Sequence, residues 1–495
     1  MRRERSRRTL LLPEDERQAS MSQESETRKW ARQNLGKAKL GDVRRQRRLV
    51  EVAEAMARKP GASLPCLCET RYDLKASYNL FRHPDATPDN LQDGHRKLVL
   101  RALGEAGTES LLLEDTSEVS WNTSFEIPGL GPTGDRNPRV KGFLLHSTLA
   151  VRWSAPVSVD GPYRRAAVDV LGLADQRYHV RQPVPAGEDP DRSSGPRRLR
   201  PRESDLWNDT TERLGPAPAR ARWVRVCDRA ADIYEFLAGC KAHGHGFVVR
   251  AAQDRALVDA GERLFARARA LPGQGAFCLH VRERKERPAH EARLQMAWAP
   301  VSLRSPGRPG ASVGHLPPVP CTVVRIWEPE APAGSKPLEW LLLVDRPVER
   351  LDEALTVALQ YATRWVIEDF HKALKTGLGA ERLHLEDGHA LVAAVSVMSV
   401  AALRLVDLRE RLRIAPDAPA TEAGLDPLEL RILAKETKRH LATTRDVALA
   451  LGRMGGHLNR KADGMPGLLT LWHGLYELQM LARGARLGMH LARFG

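Results

Sequence analysis

Between residues 361 and 377 the chain reads YATRWVIEDFHKALKTG. Tyr361, Arg364, Glu368 and Lys375 stand at relative positions 0, 3, 7 and 14. The stretch holds no proline and no glycine before Gly377, so the pattern predicts one helix ending near that glycine. At roughly 100° per residue the four polar residues fall within about 60° of one another. Val366, Ile367, Phe370, Ala373 and Leu374 make a separate, apolar face. One carboxylate among cations supports two readings. It is a solvated helix surface with an ordinary i,i+4 pair, Arg364–Glu368. Or it holds a metal ion over a phosphate, which requires other carboxylates to converge on Glu368.

Two such carboxylates follow short apolar runs. ESLLLEDTSEVSW reads as a buried strand with Asp115 at or near its C-terminal end. ARWVRVCDRAADIYEFLAGC reads as a strand ending at Asp228, then a helix. In a parallel α/β sheet, strand ends on one side line the functional crevice. Carboxylates are hard oxygen ligands suited to Mg²⁺, which takes few protein ligands and keeps waters. Two such ions about 4 Å apart activate water and stabilise the leaving oxygen of a phosphodiester. On that reading Arg364, Lys372 and Lys375 hold phosphates while Glu368 faces the metal.

The elements that must position these residues fall into blocks. Residues 1–26 form a charged, basic arm. Residues 27–92 have a helical pattern centred on LGDVRRQRRLVEVAEAMARKPG. In it Arg44, Arg45, Arg47 and Arg48 precede an apolar face of Leu49, Val50, Val52, Ala53 and Met56. The arginines are either a solvated surface or a phosphate-binding cluster, and no matching acidic block neutralises them. Residues 93–250 alternate strands and helices, interrupted by a proline- and charge-rich loop at 182–204. Residues 251–338 read as a β-rich insertion of strands between Pro/Gly turns. Residues 339–413 return to the core sheet with LEWLLLVDRPV and carry the Glu368 helix and an apolar helix at 390–405. Residues 414–495 are helical, with an apolar stripe in LLTLWHGLYELQMLARGARL suited to helix–helix contact.

Bulk composition agrees with a polyanionic partner. The 495 residues carry 77 Lys and Arg against 62 Asp and Glu, a net charge of +15. Six cysteines without a CxxC pair argue against a zinc knuckle or disulfide scaffold and fit a reducing cytoplasm. The basic N-terminus lacks the apolar run of a signal peptide, and Ala390–Leu403 is too short to span a bilayer. HGHG at 243–246 reads as a loop, HLEDGH lacks zincin spacing, and no GxxxxGK[ST] supports ATP-driven chemistry.

The Tyr-x2-Arg-x3-Glu-x6-Lys pattern resembles the signature of bacterial DDE transposases of the IS-four family, with most likeness to the Tn-five-type cut-and-paste enzymes. LGDVRRQRRLV, LLLEDTS, CDRAADIY, PLEWLLLVDRPVE, TGLGAERLHLED and LGRMGGHLNRKADGMPG agree in order, so the resemblance runs from about Trp30 onward. It implies an RNase H-like catalytic core with a β-rich insertion, between a helical DNA-binding region and a helical dimerisation region. It implies Asp115, Asp228 and Glu368 as the catalytic triad, binding two Mg²⁺ or Mn²⁺. Tyr361, Arg364, Lys372 and Lys375 would hold DNA phosphates. Arg44, Arg45 and Arg48 would belong to the DNA-binding region. Trp340 would stack on a base flipped from the element end, although by itself it also reads as a core tryptophan at a strand start. The chain departs from the pattern at Ala230 and His384.

The expectation is therefore a metal-dependent transposase that cuts element ends, through DNA hairpins, and joins them to target DNA as a homodimer. No membrane is expected. The alternative is a non-catalytic DNA-binding relative that represses transposition. A stand-alone RNase H-like nuclease fits the triad but leaves the arginine cluster and Trp340 unexplained.

Overall fold

A computed structural model describes residues 26–124, 126–134, 137–154, 166, 168–183, 201–259, 261–281, 283, 287–306, 316–460 and 463–494. The basic arm, but for its last residue, and most of the 182–204 loop lie outside the described residues.

Long alternating β-branched and apolar runs build one mixed sheet, ten-stranded among the described residues. Strand β1 (Glu109–Asn122) is flanked by β3 (Val140–Arg152) on one side and β5 (Arg222–Cys227) on the other. The β1–β3 pairing is antiparallel and the β1–β5 pairing parallel. Beyond β3 lie β2 (Gly131–Pro132) and, also antiparallel, β4 (Asp169–His179). Beyond β5 lies β6 (Gly246–Arg250), parallel to it. Crossing a parallel pair needs a covering helix, and Tyr234–Ala242 supplies it between β5 and β6.

The block expected as an insertion does not form a separate layer. Its strands, β7 (Gly275–Val281), β8 (His290–Leu303) and β9 (Val319–Trp327), continue the same sheet through β10 (Glu339–Val344), which pairs with β6. An open β10 edge would leave a row of unpaired backbone groups, and β9 satisfies them.

The N-terminal region is helical, as its pattern predicts: α1 (Glu26–Leu35), α2 (Val43–Arg58), α3 (Leu64–Leu67), α4 (Arg71–Phe81) and α5 (Pro88–Leu103). Asp42 caps α2 by accepting from the Arg44 N–H at 2.7 Å. Helix α5 lies on β4, where His95 accepts the Leu173 N–H at 2.9 Å. The bulged β4 backbone at Gly172 has φ +135, and a Cβ there would stand 2.6 Å from the His95 ring. Only glycine fits that crossing.

Among the described residues, four α-helices follow β4 before the site-bearing region is reached: α6 (Asp205–Leu214), α7 (the 234–242 crossover), α8 (Leu264–Ala270) and α9 (Leu351–Thr363). After α9 come α10 (Trp365–Lys372), a wide π turn (Ala373–Gly377) and the long α11 (Gly388–Ile414). Helix α11 is long and apolar enough to cross a membrane on composition, yet 78% of its most apolar window is buried inside the protein. It packs on α5, β4 and α2 as the expected core helix. The chain ends in α12 (Pro427–Thr437), α13 (Thr444–Met454) and α14 (Leu468–Phe494).

Candidate active site

Register explains how two distant aspartates become neighbours. The parallel pairing of β1 with β5 runs through Leu113 opposite Val226 and Glu114 opposite Cys227. One more step along each chain reaches Asp115 and Asp228, the first residue beyond β5, and the charge of Asp228 is felt at Asp115. The sequence pattern ends the strand at or near Asp115. The residue stands instead at mid-strand, because β1 goes on pairing with β3, Asp115 opposite Ser147, as far as Asn122. Only β5 stops here. Leu111, Leu113, Val224 and Val226 sit below the two aspartates in the same alternation, in one core cluster with Val366, Ile367 and Phe370 of α10. Burial of that apolar face seats α10, and with it Glu368, on β1.

The helix expected to run unbroken through 361–377 is broken twice. Arg364 N–H bonds Tyr361 O at 3.1 Å and Ile367 N–H bonds Arg364 O at 3.0 Å, both tight i→i+3 contacts. The Thr363 hydroxyl donates back to Leu359 O at 2.8 Å, a contact that bends helices. At the far end Leu378 N–H reaches Ala373 O at 2.7 Å, which makes the π turn. The result is an inward-facing Arg364 and a shifted Lys375. Arg364 Nη1 donates to Asp115 Oδ2 and to Glu368 Oε1, each at 3.2 Å. Lys375 Nζ donates to Glu118 O at 2.7 Å and stands 3.1 Å from Glu381 Oε1. Lys372 is exposed.

The electrostatics at Asp115 are those of a crowded anion. Burial pushes its pKa up to about 7, Arg364 opposes the rise, and the charges of Asp228 and Glu368 add to it. Burial works against the charge of Arg364, but Asp115, Tyr361, Asp228 and Glu368 outweigh it and hold its pKa above the usual value. Asp228 spends Oδ1 on the Ala230 N–H at 2.8 Å, capping its own turn. Among the described residues, single donor atoms of Asp115, Glu368 and His371 lie within 4.8 Å of one another. His371 does not stand out in the sequence, although it follows Glu368 by one helical turn.

Below the aspartates, on the opposite sheet face, Arg225 of β5 pairs with Glu114 of β1, both fully buried. Arg225 also donates to Thr211 Oγ1 at 3.0 Å and lies over the Phe236 ring. Burial raises the Glu114 pKa, with Arg225 opposing. The pair pins β1 to β5 next to the two carboxylates. The sequence does carry a signal for it: charges at buried positions of apolar strands, one before Asp115 and three before Asp228.

The remaining expected residues are dispersed. Tyr361 is buried, its ring 5.7 Å from that of half-buried Trp340 at the start of β10. Trp365, which no sequence pattern singles out, is 51% exposed beside Arg364. In the N-terminal region Arg44 and Arg47 are exposed. Arg45 is tied to Leu40 O at 2.7 Å, and Arg48 bridges Asp73 at 2.9 Å and Glu51 at 3.1 Å.

Comparison with known families adds an independent observation at each end of the chain. Residues 27–86 match the family model described as transposase DNA-binding. Residues 400–495 match the one described as the transposase Tn5 dimerisation domain. Together the two matches support a Tn5-type transposase. Helices α1–α4 fall within the DNA-binding match, and the last turns of α11 with α12–α14 within the dimerisation match, which supports DNA binding and homodimer formation. Leu487, Met489 and Leu491 of α14 are 60%, 49% and 62% exposed, an apolar surface of the kind a second subunit covers.

Proposed function

We propose that the transposase cuts its element ends and joins them to target DNA by DDE chemistry, with Asp115, Asp228 and Glu368 as the metal-holding triad. The observation that carries this reading is that the parallel β1–β5 pairing leads directly to Asp115 and Asp228, whose charge acts on Asp115, with Glu368 held against Asp115 through Arg364. The strand order β4-β3-β1-β5-β6, antiparallel on one side of β1 and parallel on the other, supports an RNase H-like core.

The residues fit divalent cations. Three carboxylates are hard donors, and an Asp115 raised to about 7 by burial and like charge is relieved by a cation. Two Mg²⁺ or Mn²⁺ ions, when bound, supply Lewis-acid activation of water and charge neutralisation at the scissile phosphodiester. The protein's own part is positional. Asp115 and Asp228 hold the ions on the sheet, and Glu368 closes the set from α10. Arg364, Lys372 and Lys375 bind phosphates on either side of the cut, with Tyr361 ordering the same strand. Trp340 offers an aromatic platform for a base displaced from a bent end, which favours a hairpin route. In the DNA-binding region exposed Arg44 is placed to meet phosphates, whereas Arg45 and Arg48, tied to Leu40 O and to Asp73 and Glu51, hold that region in shape.

The test is incubation with Mg²⁺ and DNA from the flanks of the transposase's own gene, scoring cuts at the element ends. Wild type cuts. Asp115→Asn, Asp228→Asn and Glu368→Gln proteins bind the ends but do not cut, because phosphate contacts dominate affinity. A wild type that binds and never cuts would instead favour a repressor of transposition.

A further inference from the structure

His371 is buried, 6% exposed, and its Nε2 has no hydrogen-bond partner. A buried polar atom without a partner is costly and calls for an explanation. The ring sits one turn after Glu368 on α10, the spacing that places two side chains on one helix face. A ring nitrogen lies within 4.8 Å of donor oxygens of both Asp115 and Glu368. The Phe370 ring lies 5.5 Å from the His371 ring between centroids.

We propose that His371 is a ligand of the cation held by Asp115 and Glu368, so that this ion has a nitrogen donor while the Asp228 side of the centre is all-oxygen. The proposal rests on the metal-dependent reading above and deepens it. A neutral imidazole keeps a lone pair on one ring nitrogen to give to a metal ion. Hard Mg²⁺ prefers oxygen, whereas imidazole suits Mn²⁺ and Zn²⁺. The site should rank ions accordingly: Zn²⁺ tightest, then Mn²⁺, then Mg²⁺.

The experiment uses the full-length protein loaded with one equivalent of Mn²⁺, read by pulsed electron paramagnetic resonance. The expected result is ¹⁴N modulation from a bound imidazole in wild type. His371→Gln should bind Mn²⁺ at least tenfold more weakly and show no ¹⁴N modulation, since loss of even a supporting partner of a ligand costs about 10- to 100-fold in affinity. Asp115→Asn should lose the Mn²⁺ site itself. Bound Mn²⁺ without ¹⁴N modulation in wild type overturns the role of His371 and leaves the carboxylate site standing. Modulation that persists in His371→Gln overturns it equally. Mn²⁺ binding unchanged in Asp115→Asn overturns both this proposal and the metal-dependent reading. The wild-type spectrum does not depend on how well any variant folds.

Discussion

One nitrogen of Arg364 lies 3.2 Å from Glu368 Oε1 and equally 3.2 Å from Asp115 Oδ2. The guanidinium therefore neutralises the same two carboxylates that a cation would hold. On the proposed metal-dependent reading, a bound cation would make that charge redundant at the carboxylates and free it for a DNA phosphate. Arg364→Ala should accordingly bind Mn²⁺ several-fold more tightly without DNA, while end cleavage falls sharply. A Mn²⁺ titration and a cleavage assay on one preparation read both effects. Weaker Mn²⁺ binding by Arg364→Ala would show that the arginine organises the carboxylates and does not compete for them.

His95 gives the docking of α5 on β4 a pH dependence. Its ring accepts the Leu173 N–H at 2.9 Å and lies 2.7 Å from Asn34 Oδ1, and burial pushes its pKa down to about 4. An unfolded histidine titrates near 6.5. Above pH 6.5 both states are neutral and the contribution is complete. As pH falls from 6.5 towards 4, only the unfolded chain takes up the proton, so stability drops by at most about 1.4 kcal/mol per pH unit from this group. Thermal unfolding at pH 7.5 and 4.5 should show His95→Gln less stable at 7.5 but less sensitive to acid than wild type. Equal acid sensitivity in the two proteins would remove His95 from the account.

Much of this is legible in the sequence because it is periodic. The apolar face of Val366, Ile367 and Phe370 and the strands carrying Asp115 and leading to Asp228 follow from local alternation, and the fold realises both. What local pattern does not encode is who pairs with whom. Nothing in ESLLLEDTSEVSW says that β5 leaves at Glu114 while β3 continues, so alternation alone puts Asp115 at a strand end. Nothing in the 251–338 block says that β9 pairs with β10 and extends the core sheet. The break at Arg364 needs Thr363 to bond Leu359 O, a choice that helix propensity does not make. His371 escapes notice because a lone histidine on an apolar face reads as core until its neighbours are known.

The arginines of α2 should divide by their partners. Arg44 and Arg47 are exposed, whereas Arg48 spans Asp73 and Glu51 within the DNA-binding part. Arg44→Ala with Arg47→Ala should lower the slope of log affinity against log salt by about 0.9 for each phosphate no longer neutralised. Arg48→Ala should leave that slope alone and lower the stability of the region by roughly 1 kcal/mol or less. Binding isotherms at several salt concentrations separate the two. A slope change with Arg48→Ala alone would return it to the DNA surface.

The Glu114–Arg225 pair should be a severe point of failure. Both side chains are fully buried, and removing one charge strands the other in an apolar interior. Glu114→Gln should destabilise the fold by about 3–5 kcal/mol. A matched Glu114→Leu with Arg225→Met replacement should recover much of that loss, since neither charge then remains. Denaturant unfolding of the single and double variants tests it. A double variant no better than the single would mean that the pair's contacts to Thr211 and Phe236 matter more than its charges.

The exposed apolar residues of α14 offer the last test. Leu487 and Leu491 are four residues apart and so lie on one face of the helix, each more than half exposed. Their exposure means that they do little to hold the subunit together, so changing them should spare the fold while altering what a second subunit meets. Leu487→Glu with Leu491→Glu places like charges on both copies of a self-complementary surface, which penalises pairing by repulsion and by desolvation. The doubly changed transposase should unfold within a few degrees of wild type and still bind a single DNA end. On a fragment carrying two ends it should form the one-end complex and fail to form the paired complex, which gel mobility and light scattering resolve. If the variant pairs ends as wild type does, the dimer contact lies elsewhere on the 400–495 region, and this face of α14 serves another purpose.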